Sequence, residues 1–211
     1  HYETTGPEIY HDLEGRIDYV VAGAGSGGTY TGILRYLKEQ NPAIRGILAD
    51  PVGSTMGGGE HADYNIEGIG NDFIAATMDM QLVDEVIKIN DTEAFAGSRL
   101  LARQEGIFAG SSSGAALSAA LKLAARIDRG NIVVVVPDRG DRYFSTQLYD
   151  TVGDKQLTFT NNISLTLLIP LYMRALENRK AHPMLSDPLA DRIISNISYD
   201  FSQLDAERKS G

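Results

Sequence analysis

A glycine-rich segment, residues 23–32, is the first candidate for chemistry in this chain. It follows the short apolar run 17–22 and precedes residues 33–38, whose apolar positions have helical spacing. Glycine lets a backbone approach a ligand closely and adopt positive φ. The N–H groups that begin a helix point at an anion, and the helix dipole favours it. The spacing therefore predicts a phosphate-binding loop at a strand-to-helix turn.

The identity of that phosphate stays open at this point. Three of the glycines match the dinucleotide fingerprint G-x-G-x-x-G, namely Gly23, Gly25 and Gly28. Asp50 ends the next predicted strand, where a ribose-binding carboxylate would lie, but capping of the turn before Pro51 explains it better. Gly27 and the hydroxyl of Thr29 favour a compact loop around one terminal phosphate. A dinucleotide, a simple tight turn and another phosphate ligand are all still compatible with the pattern.

A serine-rich segment, residues 110–114, formally matches the nucleophile elbow G-x-S-x-G. A serine hydrolase would need a later histidine, and the one that follows is His182, beyond a predicted linker. This argues against hydrolase chemistry and leaves two interpretations: a helix start rich in small residues, or a hydroxyl presented to a cofactor ring. Glu60 and His61 have no further ligand at helical spacing, so no metal site is predicted.

Strand and helix patterns alternate along residues 1–150. Helices are predicted over residues 7–13, 28–39, 92–105, 114–125 and 143–149, and strands over 19–22, 46–49, 85–89 and 132–136. Asp91 and Thr92 are the predicted N-cap of the third helix. The β-branched run 132–136 is apolar on both faces, which predicts a central parallel strand. Residues 56–80 are glycine-rich and predict a loop. The alternation indicates a layered α/β sheet.

Composition excludes several classes of protein. The chain has 211 residues, of which 43% are hydrophobic, and no cysteine, so disulfides and cysteine-ligated metals are excluded and a reducing cytoplasm is the simplest expectation. The longest apolar stretch, residues 165–173, is too short for a bilayer. Residues 1–150 carry 12 Lys and Arg against 21 Asp and Glu, a net charge of −9. Such acidity argues against a nucleic-acid partner.

The charge balance changes near residue 150, which predicts a boundary there. Residues 151–162 are polar and predict a linker, and two helices are predicted over residues 164–178 and 187–197. The chain begins at His1 without a signal-peptide pattern. We therefore expect a processed, truncated or fused product.

Five motifs along residues 1–150 together resemble one enzyme family. They are, in order, YETTGPEI (2–9), GSGGT (25–29), IEGIGNDF (66–73), EGIFAGSSSGAA (105–116) and PDRGDRY (137–143). This set resembles cysteine synthase (O-acetylserine sulfhydrylase) and its relative cystathionine β-synthase. The resemblance implies an α/β fold with three layers and a mostly parallel sheet, the tryptophan-synthase-β-like fold type II. Here we expect it truncated, with residues 1–150 as a partial domain and a C-terminal helical extension.

The resemblance also implies a cofactor, a reaction and roles for individual residues. The cofactor is pyridoxal 5′-phosphate, and the reaction is β-replacement on O-acetylserine, serine or O-phosphoserine by sulfide or homocysteine, in a homodimeric parent enzyme. The cofactor phosphate would be bound by Gly25, Ser26, Gly27, Gly28 and Thr29. Ser112 would hydrogen-bond the pyridine nitrogen. The loop that closes over the amino-acid substrate would be Glu67, Gly68, Ile69 and Gly70.

The family's Schiff-base lysine belongs to a first half that this chain does not match. The lysines before residue 150 are Lys38, Lys88 and Lys122, and each is better explained as a surface residue of a helix or strand. The resemblance thus implies that this chain has no turnover by itself. The rival hypothesis is a non-catalytic remnant that binds phosphate or pairs with an intact homologue.

The tail resembles a second family. The motifs SLTLLIPLYMRALE (164–177), DPLA (187–190) and YDF (199–201) resemble the N-terminal start of a leucine-carboxyl or tetracenomycin-type O-methyltransferase. Residues 163–211 are therefore predicted to be the helical start of such a domain. It would use S-adenosylmethionine only if the methyltransferase part were complete.

Overall fold

The computed structural model describes residues 1–143 and 146–149, and every structural statement below concerns these residues. The predicted linker 151–162 and the predicted methyltransferase start 163–211 lie outside them and stay predictions.

The described chain contains four strands and four α-helices, in the order α-β-α-β-β-α-α-β. Their bounds are α1 Thr5–Asp12, β1 Tyr19–Gly23, α2 Gly28–Gln40, β2 Arg45–Pro51, β3 Glu85–Ile89, α3 Asp91–Leu100, α4 Ser111–Ala124 and β4 Ile132–Val134. Short 3₁₀ turns occur at Met80–Leu82, Gly140–Tyr143 and Gln147–Tyr149. The order of helices and strands predicted for residues 7–136 is confirmed.

All neighbouring strands in the described sheet are parallel, in the order β3-β2-β1-β4. Val21 of β1 lies in register with Ile47 of β2 on one side and with Val134 of β4 on the other. The prediction that residues 132–136 form a central strand is wrong for the described sheet, because β4 pairs there with β1 alone. Its valines are half-buried, and Val136 is 38% exposed. An apolar, β-branched run predicts a strand that can be buried, but it does not predict where that strand lies in the sheet.

Helices cover both faces of the sheet and produce three layers. Side chains alternate across a strand, so Val20 and Leu48 face the core beneath α2, which contributes Tyr30, Ile33, Leu34 and Leu37. Val21 and Ile47 face the opposite core, beneath α3 and α4, with Ala94, Ala115, Ala119 and Leu123. The expected three-layer α/β fold is therefore confirmed.

Helix ends depart from the predictions in several places: α1 begins at Thr5 and α4 at Ser111, before their predicted starts at residues 7 and 114. The N-cap of α3 is Asn90, not Asp91 or Thr92: the Asn90 side chain accepts the N–H of Glu93, and the Glu93 carboxylate accepts the N–H of Asn90. The pattern Asn-x-x-Glu of a capping box is in the sequence and identifies this cap. After Leu100 the helix widens into a π-helical turn, Leu101–Glu105. The predicted helix 143–149 is replaced by two 3₁₀ turns, with residues 144 and 145 outside the described part.

A long connection between β2 and the first 3₁₀ turn, residues 52–79, contains no helix or strand, as predicted for residues 56–80. We call it the connecting loop. Its ends are joined at Ser54, whose hydroxyl donates to the carbonyl of Asn71 and accepts the N–H of the same residue, both at 3.1 Å. These bonds bring the loop back across the carboxyl end of β1. Within the described residues, no helix is both long and apolar enough to cross a bilayer.

Candidate functional site

A cavity of about 120 Å³ lies at the carboxyl end of β1, where the chain turns into α2. In parallel α/β sheets the crevice outside the carboxyl ends of the strands is the usual ligand site. Four segments contribute to it: the turn after β1, the connecting loop, the start of α4 and the residues after β4. The lining residues are Gly23, Ala24, Gly25, Ser26, Gly27, Thr29, Tyr30, Gly68, Ile69, Ser112, Val135 and Pro137.

The turn from β1 into α2, residues 24–29, is named the glycine loop here. Its Gly27 is the N-cap of α2 with φ +84°, a left-handed conformation that glycine adopts without strain. A Cβ atom at Gly27 would lie 2.7 Å from the Cα of Met78, so a side chain cannot fit there. No side chain caps this helix start and its first turn holds no acidic residue. Its N–H groups and its positive dipole end are therefore open to an anion.

The carbonyls of the glycine loop are bound by the connecting loop. Gly70 N–H donates to the Ala24 carbonyl at 2.8 Å, and the side-chain amide of Asn71 donates to the Gly25 carbonyl at 2.7 Å. The hydroxyl of Thr77 donates to the Ser26 carbonyl. In contrast, no described residue accepts a hydrogen bond from the N–H groups of residues 25–27. In the glycine loop, therefore, the carbonyl groups of residues 24–26 are hydrogen-bonded, while the N–H groups of residues 25–27 have no described acceptor.

The start of α4 brings a second helix N-terminus to the cavity. Ser112 lines it, is 4% exposed, and has no hydrogen-bond partner for its hydroxyl among the described residues. Ser111 accepts the N–H of Glu67 at 3.0 Å and so attaches the connecting loop to this helix. Ser113 is fully buried, lies outside the cavity lining, and its hydroxyl also has no described partner.

Packing against α3 determines where Ser112 lies. Helices α3 and α4 approach so closely that a Cβ atom at Gly114 would lie 2.0 Å from the carbonyl oxygen of Ala94. Ser98 of α3 donates to the carbonyl of Gly110, the N-cap of α4, at 2.8 Å. This contact fixes the first turn of α4 relative to the sheet.

A tyrosine–aspartate pair holds the chain after β4 against α4. The Tyr143 hydroxyl donates to Asp138 at 2.6 Å, and a Cβ atom at Gly110 would lie 2.3 Å from the other carboxylate oxygen of Asp138. Burial raises the pKa of Tyr143, and the hydrogen bond to Asp138 raises it further. The tyrosine is therefore a neutral donor near pH 7. Pro137, next to Asp138, is thereby kept at the cavity wall.

The structure brings most of the predicted site residues to one cavity. Gly25, Ser26, Gly27, Thr29, Ser112, Gly68 and Ile69 line it together, although they come from three distant parts of the sequence. Three predicted residues do not line it, namely Gly28, Glu67 and Gly70. Gly28 begins α2, with open space around the position of a Cβ atom. Glu67 and Gly70 bind neighbouring segments through their backbone N–H groups.

Several lining residues were missed from the sequence. Gly23 was considered only as part of a dinucleotide fingerprint, Ala24 was given no role, and Val135 and Pro137 follow β4. The position of Val135 and Pro137 after a parallel strand is a signal that could have found them. Burial raises the pKa of Tyr30, and the negative charge of Asp84 raises it further. The Tyr30 hydroxyl has no partner among the described residues. Asn71 gave no signal, because its partner is 46 residues away.

The lysines of the described chain all lie in ion pairs outside the cavity lining. Lys38 pairs with Asp84 at 2.6 Å, Lys88 with Asp50 at 2.5 Å, and Lys122 with Glu93 at 2.7 Å. The ion pair with Lys88 also explains why a carboxylate stands at the end of β2, at Asp50. This carboxylate is 1% exposed and accepts the N–H of Gly57 as well, so it is not turned toward a ribose.

Among the described residues, no histidine lines the cavity to act as the base of a serine hydrolase or as a metal ligand. His61 pairs with Asp72 at 2.8 Å at the surface, and His1 contacts Thr29 at 3.0 Å, but no described histidine lines the cavity beside the serines. No group of three or more potential metal ligands occurs in the described part of the chain.

Comparison with known proteins decides the family. The family model described as "Pyridoxal-phosphate dependent enzyme" matches residues 1–138. This chain belongs to that family. Its cofactor is pyridoxal 5′-phosphate, as the motifs implied. The predicted O-methyltransferase start lies beyond the matched residues and has no support from this match.

Similar proteins include a cysteine synthase and O-acetylserine dependent cystathionine beta-synthases. The chain is 48% identical over 151 residues to an O-acetylserine dependent cystathionine beta-synthase of Bacillus subtilis, covering 71% of this chain and 49% of that protein. It is 43% identical over 169 residues to cysteine synthase A of Escherichia coli, covering 74% and 52%. A crystal structure of O-acetylserine dependent cystathionine beta-synthase from Helicobacter pylori superimposes with a TM-score of 0.67 at 46% identity, covering 70% of this chain and 49% of that one. The chain thus spans about half the length of these relatives.

The residues at the cavity fit the cofactor. Two helix N-termini without side-chain caps meet there, and the lining residues carry no carboxylate that would repel a phosphate dianion. The Ser112 hydroxyl, which has no partner among the described residues, would fit a ring nitrogen as a neutral donor. Groups suited to a phosphate and to a ring nitrogen thus line one cavity, although they are far apart in the sequence.

Proposed function

We propose that residues 1–149 are the cofactor-phosphate and ring-nitrogen half of a β-replacement enzyme of cysteine synthase or cystathionine β-synthase type. The observation that carries this proposal is that the glycine loop, whose N–H groups at residues 25–27 have no described acceptor, and Ser112, whose hydroxyl has no described partner, line one cavity. The substrates of such an enzyme are O-acetylserine, serine or O-phosphoserine, with sulfide or homocysteine as the incoming nucleophile. The 43–48% identity to enzymes of both types supports this choice.

In this proposal the phosphate is held by Gly25, Ser26, Gly27, Gly28 and Thr29. Backbone N–H groups of the loop donate to its oxygens, and the start of α2 adds its dipole. Glycine at position 25 lets the glycine loop pack against the connecting loop, since a Cβ atom there would lie 2.6 Å from the Gly68 carbonyl oxygen. With no side chain at Gly25 or Gly27, the N–H groups of the loop also stay accessible. Gly28, the first residue of α2, is proposed to bind the phosphate through its backbone N–H, although it is not one of the residues that line the cavity.

Ser112 is proposed to hydrogen-bond the ring nitrogen. When bound, pyridoxal phosphate withdraws electrons from the α-carbon of an amino acid. A serine hydroxyl does not hold a proton on the ring nitrogen as a carboxylate would. The weaker electron withdrawal favours loss of a β-substituent over transamination. The buried position of Ser112 keeps water from competing for that bond.

The segment Glu67, Gly68, Ile69 and Gly70 is proposed to contact the amino-acid substrate. Gly68 and Ile69 already line the cavity, and the bond from Glu67 N–H to Ser111 attaches this segment to α4. A substrate bound there would lie next to the cofactor site. The described lysines are held in ion pairs, so we propose that the chain by itself binds the cofactor without turnover. We also propose that the parent enzyme is a homodimer located in the cytoplasm.

Binding of pyridoxine 5′-phosphate to the full chain tests this function. The ligand has the ring nitrogen and the phosphate but no aldehyde, so adventitious lysine adducts do not interfere. Ser112→Ala is expected to weaken binding about fivefold, the effect of one hydrogen bond of about 1 kcal/mol. Ser113→Ala is the matched control, because its hydroxyl is buried beside Ser112 but outside the cavity, and it should leave binding unchanged. Equal effects of the two substitutions would refute the role of Ser112.

A further inference from the structure

Three successive carbonyl groups of the glycine loop accept hydrogen bonds from the connecting loop. The donors are the N–H of Gly70, the side-chain amide of Asn71 and the hydroxyl of Thr77. In a trans peptide the carbonyl and the following N–H point in opposite directions. A bond that fixes the Gly25 carbonyl therefore also fixes the direction of the Ser26 N–H. The connecting loop orients the donors that a phosphate would meet.

Asn71 can lose its side chain without losing its place in the fold. Its backbone is held by Ser54, whose hydroxyl bonds both its N–H and its carbonyl, and by the N–H groups of Thr55 and Met56, which donate to the same carbonyl. The Ser54 carbonyl in turn accepts Lys88 Nζ at 2.6 Å, next to the buried Asp50. The backbone of Asn71 is thus anchored to the sheet independently of its side-chain amide.

The bond from Asn71 to Gly25 is a side-chain bond between half-buried segments, with a distance of 2.7 Å. Without it, nothing else in the described structure donates to the Gly25 carbonyl. The peptide between Gly25 and Ser26 could then rotate, because glycine imposes little restriction on its own dihedral angles. A rotated peptide would turn a carbonyl oxygen toward the cavity in place of an N–H and would repel an anion.

We propose that Asn71 is a positioning residue that sets the affinity of this cavity for a phosphate monoester by fixing the Gly25–Ser26 peptide. The inference rests on the proposed function in so far as that function places the cofactor phosphate at the glycine loop. Asn71 does not touch the ligand in this scheme. It acts through the backbone of the glycine loop alone, so its effect is specific to the phosphate and does not extend to the ring.

The test compares pyridoxine 5′-phosphate with pyridoxine, which has the same ring without the phosphate, on the full chain by titration calorimetry or equilibrium dialysis. The wild-type chain should prefer the phosphorylated ligand. Asn71→Ala should reduce that preference about tenfold and leave the affinity for pyridoxine unchanged. Asn65→Ala is the matched control: Asn65 lies in the same connecting loop and its side-chain amide donates to Asp91 at 2.7 Å, away from the glycine loop. It should keep the full preference.

Each outcome of this comparison has one meaning. No preference for the phosphate in the wild-type chain would defeat the proposed function itself. A wild-type preference that Asn71→Ala retains would overturn the role of Asn71 while leaving the proposed function standing. An equal loss of affinity for both ligands would also overturn it, because it would show a collapsed cavity. Should the alanine variant fail to fold, Asn71→Leu, which has a similar size and no charge but lacks the donor, is expected to show the same phosphate-specific loss.

Discussion

Gly97 and Gly114 meet where α3 crosses α4, and a Cβ atom at Gly97 would lie 2.3 Å from the carbonyl oxygen of Gly114. The crossing carries no side chain at either position, so the two backbones nearly touch. The first turn of α4, with Ser112 at the cavity, is held in place by this contact. The stability of the helix pair and the geometry of the site therefore depend on the same two glycines.

Substitution of Gly97 by alanine should destabilise the fold. Overpacking at a backbone contact costs about 1–3 kcal/mol, more than the gain in helix propensity returns. A urea titration should show a lower midpoint with an unchanged slope. Gly28→Ala is the control, because Gly28 is also helical but has open space around it, and its midpoint should not fall. A Gly97→Ala midpoint equal to that of the wild type would show that the helices can separate without cost.

Loss of the Lys88 ammonium should be costly because of Asp50. Lys88→Met leaves a carboxylate that is 1% exposed without its cation, and an unpaired buried charge destabilises by about 3–5 kcal/mol. The double variant Asp50→Asn with Lys88→Met should recover part of that loss. Lys122→Met breaks the exposed pair with Glu93 and should cost less than about 1 kcal/mol. Thermal unfolding of the four proteins checks the order, and equal losses for the two lysines would contradict it.

The lysines of the described chain should not capture pyridoxal phosphate in a specific manner. Each lies in an ion pair outside the cavity, so its amine lies against a carboxylate and is not placed to attack a cofactor in the cavity. Incubation with pyridoxal phosphate, reduction with borohydride and peptide mass spectrometry should yield no stoichiometric adduct at residues 38, 88 or 122. One such adduct in full yield would disprove this expectation.

Acid should destabilise the chain partly through Asp84. Burial by itself raises the pKa of this carboxyl, but the hydrogen bonds from Lys38 and from Gly46 N–H and the charges of Lys38 and Arg45 outweigh burial, so the pKa lies below its usual value. A lowered folded-state pKa adds stability above the unfolded value, about 4, and this stability is lost as the pH falls below it.

Melting temperatures measured from pH 6 to pH 3 can isolate that contribution. Asp84→Asn should melt lower than the wild type at pH 6, and this difference should shrink as the pH falls toward 3. Glu14→Gln removes one negative charge from an exposed pair with Arg16 and serves as the control for net charge. A constant difference between Asp84→Asn and the wild type over the whole range would exclude the proposed linkage.

Local features of this chain were readable before the structure because their physics is local. The glycines at 25, 27 and 28 favour a strand-to-helix turn, and residues 85–89 form a strand with the predicted bounds. The start of α3 was misplaced although the capping pattern at Asn90 was in the sequence. The position of β4 could not be predicted, because apolar character at residues 132–136 does not say which strand lies beside it.

The sequence by itself determined the layered α/β class, the two ligand-binding motifs and the family to which they point, since residue types at fixed spacing encode turns, helix starts and strands. Only the tertiary structure decided that Gly27 and Ser112 share a cavity, that Lys88 neutralises Asp50, and that Asn71 holds the Gly25 carbonyl. Those relations join residues that are far apart along the chain. They follow from which surfaces pack together, and packing depends on the shape of the whole sheet and its helices, which no local pattern carries.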